Sequence, residues 1–464
     1  MHLKKLEITN FRCFKSLSID LDEQLTVLVA KNGQGKSAVL DAVRIGLWPF
    51  VSGFDLARNP ATDAANNISI DDVRMLQQVG RQFPCKITLQ SKISPQLLSL
   101  FNKGDEDLKW RRSRESEAKG TRTKDTYISS IAIKLLATLV QNRIRNPDSP
   151  DTDLPIIGYY GTGRLWSQKR STGAKTGISK QNADFFMRLF AYQDCLDPAS
   201  SFKHFTDWFI WIFECYREDQ IKQSEKGLPS DINSVWANTI KVVQQAIDGV
   251  LQETGWHSLE YSVSHEKSLI LKHDEYGTLK VDLLSDGIRG VLAMVGDIAY
   301  RCIKLNPHLG LNAAKESNGV VMIDEVDMHL HPAWQQTILG NLINAFPKIQ
   351  FIVTTHSPQV LTTVKPECIR LISANGEVLI PSINTYGEES KVTLEDIMQV
   401  SSRPHTKEAD LLQDYLRHIN QGDIDSPDVK QWRQVLEQAF GGNYSKLKLA
   451  DMVISKWKAK RGMA

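Results

Sequence analysis

Four small groups of residues, far apart in the chain, carry side chains suited to phosphate chemistry. The first is Ala30-Lys31-Asn32-Gly33-Gln34-Gly35-Lys36-Ser37, between an apolar pentapeptide at 25–29 and a run with helical spacing at 38–45. A strand feeding a glycine-bearing loop and then a helix leaves successive backbone N–H groups free to wrap a phosphate. In that reading Lys36 reaches the β and γ phosphates and the Ser37 hydroxyl ligates Mg²⁺. The loop begins with Ala30 instead of glycine, so its entry must avoid strongly positive φ. Gly33 and Gly35 keep that freedom where backbone and phosphate come closest. A β–α turn that binds nothing shares part of this pattern, and the other three groups argue against it.

Leu284-Ser285-Asp286-Gly287 stands at the head of a long helical pattern reaching about residue 304. Ser285 is a suitable N-cap, and the exposed helix N-terminus is a second anion site. Asp324-Glu325 closes the β-rich apolar run Val320-Val321-Met322-Ile323. Buried parallel strands have this composition, and their carboxyl ends are where α/β sheets place ligands. There Asp324 would hold Mg²⁺ through water and Glu325 would polarise an attacking water. His356 ends a further apolar run at 350–355, where it either donates to a γ-phosphate or is satisfied by nearby backbone. Arg12, in the first turn of the chain, is either a solvated turn residue or a guanidinium folded back on the phosphates. His329 and His331 invite a metal reading, but no third and fourth ligands stand at suitable spacing.

Several elements must position these groups. Strands are expected at 2–9, 17–21, 25–29, 85–93 and 155–160, and a helix at 128–145. Trp48-Pro49-Phe50 opens an irregular surface segment. Residues 103–125 carry eight basic and six acidic side chains, the mark of a solvated loop or helix face. The stretch 185–223 reads as helix, with Phe202, Phe205, Trp208, Phe209, Ile212 and Tyr216 forming a helix–helix core stripe. A second helix at 234–252 precedes an antiparallel set at 259–263, 268–272 and 278–283. The tail is helical at 410–419, 427–440 and 444–460, with Ser426-Pro427 opening and Gly441-Gly442 closing the middle helix.

With 464 residues the chain can build two or three domains. Its 56 basic residues nearly balance 54 acidic ones, so any polyanion must be met by local patches. One basic stretch holds Arg164, Lys169, Arg170 and Lys175 among glycines and serines, and fits either a phosphate-backbone contact or a solvated loop. The lysine-rich last helix is open in the same way. Six scattered cysteines form no CxxC pair, the pattern of reduced thiols in a cytoplasmic protein. The N-terminus is too polar for a signal peptide, and the apolar run at 208–213 is too short to span a bilayer, so no membrane role is expected.

The four motifs in this order resemble the head domain of an ABC-type ATPase of the SMC and RecF class, and Ile8-Thr9-Asn10-Phe11-Arg12-Cys13-Phe14 is similar to that class's first hairpin. The Gly158-Tyr159-Tyr160-Gly161-Thr162-Gly163-Arg164 turn, the Ser285-Asp286-Gly287-Ile288-Arg289 tip and the segment 324–332 resemble the PtuA family of Septu-type and retron-associated anti-phage systems. The resemblance implies an α/β ABC-type P-loop ATPase head, a mixed sheet with an antiparallel N-terminal subdomain, a helical insertion and a helical C-terminal region. Expected boundaries are 1–164 and 258–392 for the two lobes, 165–257 for the insertion and 393–464 for a partner-binding tail. It implies ATP and Mg²⁺ as cofactors, with Asn10, Arg12, Lys31, Asn32, Gly33, Gly35, Lys36, Ser37 and Ala38 on the nucleotide. Ser37 and Asp324 would serve the metal, Glu325 would be the base and His356 the switch. Ser285, Asp286 and Gly287 would cap the nucleotide of a second subunit, so a homodimer or higher homo-oligomer is implied. No glutamine stands out for the Q-loop, with Gln77, Gln78, Gln82 and Gln90 competing. Family partners are the HNH nuclease PtuB and, in retrons, a reverse transcriptase with its DNA–RNA product. The expected role is a sensor that controls a nuclease without being one. The alternatives are a DNA-repair or overcoming-lysogenization ATPase, which would need an added acidic metal domain, and a transporter ATPase, which would need a membrane subunit.

Overall fold

A computed structural model of the chain describes residues 1–58, 60–99, 107–118, 120–125, 128–163, 187–198, 202–229, 234–404 and 406–460. They form two compact units, Met1–Thr393 and Leu394–Ala464.

The larger unit is built on two sheets. One has six strands in the order Val378–Leu379, Ile369–Ile372, Leu25–Val29, Ile349–Thr354, Gly319–Ile323 and Ile156–Tyr160. All neighbours run parallel except the first pair. Leu25–Val29, Gly319–Ile323 and Ile349–Thr354 are buried along their whole length, which explains their predominantly apolar character. The register sets Thr354 beside Leu28, and Val353 beside Ile323. The loops following three distant segments therefore emerge side by side at one edge.

The second sheet is antiparallel, with five strands ordered Phe14–Asp20, His2–Phe11, Cys85–Lys92, Asp107–Arg114 and Lys124–Asp125. Helix Lys36–Val51 follows the glycine loop, and a Cβ on its Gly46 would lie 2.5 Å from Leu89 of this sheet. No side chain but hydrogen fits there, so helix and sheet pack at close range.

Two expectations are corrected here. Residues 107–114, in the charged stretch read as a solvated loop or helix face, form an inner strand of the antiparallel sheet. The charge content hid a period of two: Trp110 and Arg112 point inward and are buried, while Lys109 is exposed. Likewise the helix after the glycine loop does not stop at Trp48 but runs through Pro49 to Val51. A proline inside a helix leaves the carbonyl four residues earlier without its donor. That carbonyl, Ile45 O, accepts from the Arg112 guanidinium at 3.0 Å. Arg112 also donates to Asn66 O (2.6 Å), Asn67 Oδ1 (2.7 Å) and Asp125 Oδ1 (3.0 Å). The basic residue and the proline are thus one feature, contributed by two distant segments.

The stretch 185–223 is likewise not one helix. Arg188–Tyr192 makes a short 3₁₀ turn, and the helix proper is Lys203–Glu225. In between, Cys195 O and Pro198 O accept from Tyr159 N (2.9 Å) and Gly161 N (3.0 Å). These bonds cover the outer edge of strand Ile156–Tyr160. The aromatic stripe packs on the long helix Asp286–Leu305: Trp208 meets Tyr300 at 5.0 Å between ring centroids, and a Cβ on Gly296 would strike Phe205. Inside the same helix Arg301 Nε donates to Asp297 Oδ2 (2.8 Å), which also accepts from Tyr160 OH (2.8 Å). Both charges are buried, and Arg301 donates in addition to Ala191 O.

Strands Trp256–Ser262, Ser268–His273 and Gly277–Lys280 form a separate three-stranded antiparallel sheet. The smaller unit contains helices Lys407–Gln421, Pro427–Phe440 and Ser445–Lys460 around Leu412, Tyr415, Ile419, Leu436 and Leu447. Ser426 caps the middle helix by accepting from Val429 N at 3.3 Å.

Replacing Arg112 by methionine keeps much of the volume but strands Ile45 O, Asn66 O and the Asp125 carboxylate. The expected loss of stability is about 3–5 kcal/mol, read by denaturant unfolding. A loss below about 1 kcal/mol would show that the guanidinium does not compensate for Pro49.

Candidate active site

Helix Lys36–Val51 begins at Gly35, which makes no side-chain cap. The first N–H groups of a helix have no partner within it, so the loop 30–37 presents backbone donors. The loop takes left-handed backbone at Gly33 (φ 77°) and Gly35 (φ 94°), and Ala30 has no positive φ. A Cβ at Gly35 would sit 2.5 Å from Phe14 and 2.6 Å from Cys13 Sγ. The first hairpin therefore presses on the loop through two residues that its spacing alone did not single out.

Lys36 is buried, and its ammonium donates to Ala30 O at 2.8 Å. Burial lowers its pKa from 10.5, against the opposing pull of Asp324, Glu325 and Asp327. The loop lysine and the three carboxylates after strand Gly319–Ile323 thus share one electrostatic neighbourhood. Lys31, Asn32, Gly33 and Ser37 are exposed and Ala38 is buried.

Strand Ile349–Thr354 holds the acidic turn in place. Thr354 Oγ1 donates to Asp324 Oδ1 (2.6 Å) and accepts from Glu325 N (2.7 Å), and Thr354 O accepts from Val326 N (3.0 Å). Glu325 adopts a left-handed backbone, φ 50°. Thr355 Oγ1 donates to Asp327 Oδ1 at 2.5 Å, and His356 N donates to the same oxygen at 3.4 Å. The threonine pair and Asp327 were not among the sequence candidates; their signal was the position of two hydroxyls at the end of an apolar strand.

Two candidates of the first hairpin have partners inside the scaffold. The Asn10 amide donates to Pro84 O at 3.2 Å. Arg12 is bound by Asp41 (2.7 Å) and Asp72 (2.9 Å), and these carboxylates outweigh burial and raise its pKa. Asp41 lies on the glycine-loop helix, so Arg12 ties the hairpin to that helix. Of the competing glutamines, Gln90 lies within strand Cys85–Lys92 and the Gln82 amide donates to Gly80 O.

Ser285 caps helix Asp286–Leu305 by accepting from Ile288 N at 3.5 Å. Asp286 pairs with Arg289 one turn on. A Cβ on Gly287 would lie 2.4 Å from His329 O, so the helix tip rests directly on the turn that follows Asp324-Glu325. His331 Nδ1 accepts from Ala333 N, an N-cap contact. Among the described residues there is no group of three or more His, Cys, Asp or Glu that could hold a metal ion. Arg164, Lys169, Arg170 and Lys175 lie outside the described residues.

A glycine loop with open donors, a buried lysine and a strand-end acid pair fit a magnesium-bound nucleoside triphosphate. Comparison with known proteins agrees. The model of the AAA domain family matches residues 5–254, more than half of the chain. The chain belongs to the AAA-domain family. A second AAA-domain model, described as putative AbiEii toxin, type IV TA system, matches residues 215–362. Among relatives of this AAA-domain ATPase is the retron Ec83 probable ATPase of Escherichia coli, 26% identical over 95% of this chain and 84% of that protein. The retron Vc95 probable ATPase of Vibrio cholerae is 25% identical over 93% and 86%. Septu protein PtuA of Bacillus mycoides is 46% identical over 79 residues, 17% of this chain and 10% of that protein. The chain is an α/β protein of the AAA-domain family, with relatives among the retron ATPases and the Septu PtuA proteins.

Gly35→Ala would add strain of about 1–3 kcal/mol besides its clash with Phe14. It is expected to lower both thermal stability and affinity for a fluorescent ATP analogue. Gly287→Ala is expected to keep nucleotide affinity and lose turnover, because the displaced element is the helix tip and not the glycine loop. Equal effects of the two substitutions on affinity would contradict this division.

Proposed function

We propose that the protein binds and hydrolyses ATP and that its nucleotide state controls a nuclease effector in bacterial anti-phage defence. The observation that carries the reading is the buried Lys36, in the loop and helix after strand Leu25–Val29, sharing its field with Asp324, Glu325 and Asp327 after strand Gly319–Ile323, the two strands flanking Ile349–Thr354.

In this reading the backbone donors of residues 31–38 wrap the β-phosphate, and Lys36 leaves the Ala30 carbonyl to bind the β and γ phosphates. Ser37 and Asp324 hold the cation, which when bound offsets the negative charge on the phosphates. Glu325 takes the proton of the attacking water. His356 donates to the γ-phosphate and loses that partner after hydrolysis. Arg12 keeps its two carboxylates and reaches the nucleotide only with its remaining N–H groups, and Asn10 lines the same side. Ser285, Asp286 and Gly287 complete the site of a second copy, so the active form is a homodimer or a larger homo-oligomer. ATP then acts by binding one assembly state better than another.

The nuclease is read as an HNH protein of the PtuB kind, met by the tail at 393–464. A retron reverse transcriptase and its DNA–RNA product are further partners, and Arg164, Lys169, Arg170 and Lys175 are assigned to nucleic acid. The ATPase lobes are assigned to 1–164 and 258–392, with 165–257 as the insertion. What supports the defence role is the breadth of the match to the two retron ATPases, over nine-tenths of this chain. Among the described residues no helix is long and apolar enough to cross a membrane, which suits a cytoplasmic ATPase.

Glu325→Gln is expected to bind ATP with wild-type affinity, lose about 10²–10⁴ in turnover and accumulate as the ATP-bound dimer. Phosphate release and sedimentation read the two effects. Turnover at the wild-type rate would remove Glu325 from the role of base.

A further inference from the structure

The turn bearing the acid pair is strained, and one hydroxyl group holds it. Glu325 has φ 50°, a conformation that costs free energy in any residue with a Cβ and persists only where its surroundings impose it. The surroundings are the last residue of the neighbouring strand. Thr354 is fully buried, and its hydroxyl has one proton and two acceptor lone pairs. The proton goes to Asp324 Oδ1 at 2.6 Å, and the oxygen accepts the Glu325 amide at 2.7 Å. The carbonyl of the same residue accepts the Val326 amide at 3.0 Å. From the opposite side, Asp324 N donates to Tyr160 O at 2.8 Å. Three successive residues are thus held by one threonine, and the middle one is the proposed base.

We infer that Thr354 is a positioning residue for ATP hydrolysis: its hydroxyl fixes both the carboxylate of Asp324 and the backbone direction from which the Glu325 side chain leaves. The inference rests on the reading of Glu325 as the base. Its chemistry is specific to a hydroxyl. A methyl group in its place fills the same volume but can neither donate to the carboxylate nor accept the amide. The amide would then turn toward another acceptor, and the side chain of Glu325 would turn with it. Displacements of about 1 Å at a reacting group cost orders of magnitude in rate while leaving distant binding contacts intact. The glycine loop and Lys36 lie on other strand ends and keep their contacts, so nucleotide affinity is spared. Thr355 performs the matching task for Asp327, in the turn that follows.

The test compares Thr354→Val with Thr354→Ser in the full chain. Steady-state phosphate release gives kcat and KM, equilibrium binding of a fluorescent ATP analogue is measured with and without Mg²⁺, and thermal unfolding monitors the fold. Thr354→Val is expected to lower kcat by about tenfold or more, with metal-free nucleotide affinity unchanged. Thr354→Ser, which keeps the hydroxyl, is expected to stay within about twofold of wild type. Should the valine variant not fold, Thr354→Ala is read in its place against the same serine control. Wild-type kcat in the variant without the hydroxyl, or equal losses in that variant and in Thr354→Ser, would overturn the inference. Glu325→Gln is run in parallel to separate the two levels. If it turns over normally, the reading of the base fails. If it is inactive while the variant without the hydroxyl is fully active, the role of Thr354 alone fails.

Discussion

A lysine buried under its own phosphate loop is the constraint on which the rest of this molecule depends. Lys36 sits under the glycine loop with its ammonium on the loop's own carbonyl, and three carboxylates from another segment offset part of the cost of burying it. That arrangement exists only if strands Leu25–Val29, Gly319–Ile323 and Ile349–Thr354 end at the same level. A shift of one residue in either pairing would turn Thr354 from the acid pair to the opposite face of the sheet. The buried, largely apolar strands, the parallel register and the close fit of Gly46 on the antiparallel sheet all keep those ends aligned.

Buried polar groups elsewhere serve the same rigidity. Arg112 joins the glycine-loop helix to the antiparallel sheet and supplies the donor that Pro49 lacks. The Asp297–Arg301–Tyr160 cluster fastens helix Asp286–Leu305 to the strand beside the acid pair. Both are charged groups with their hydrogen bonds made, and such groups favour one arrangement over near alternatives. The parts left exposed are the loop 31–33, Ser37 and Ser285 at the helix tip. A rigid frame with polar tips suits an enzyme whose ligand completes the site.

The helix tip at Ser285 deserves its place in this scheme because of what lies under it. Gly287 rests on the carbonyl of His329, in the turn that continues from Glu325 through Asp327. Any group that pulls on the tip pulls on that turn, and Asp327 passes the displacement to Thr355 and the backbone of His356. The helix tip, the turn after the acid pair and the backbone of His356 thus form one continuous chain of contacts.

The sequence by itself determined which residues are candidates for phosphate chemistry. Glycines at 33 and 35, a lysine and serine after them, and two acids at the end of a β-branched run leave few other readings, because each residue type answers a local demand of phosphate or backbone. It also determined most elements whose pattern is local: the helix Ile128–Arg145, the serine and proline that open Pro427–Phe440, and the three strands between 256 and 280. The tertiary structure decided what depends on partners distant in the chain. Arg112 looked solvated because charge is read one residue at a time, whereas its burial depends on a proline 63 positions away. Arg12 looked available to phosphate until Asp41 and Asp72 closed on it. Thr354 carried only the weak signal of a hydroxyl at a strand end, since a threonine there becomes a positioning group only when another strand sets an acid and a strained amide against its hydroxyl.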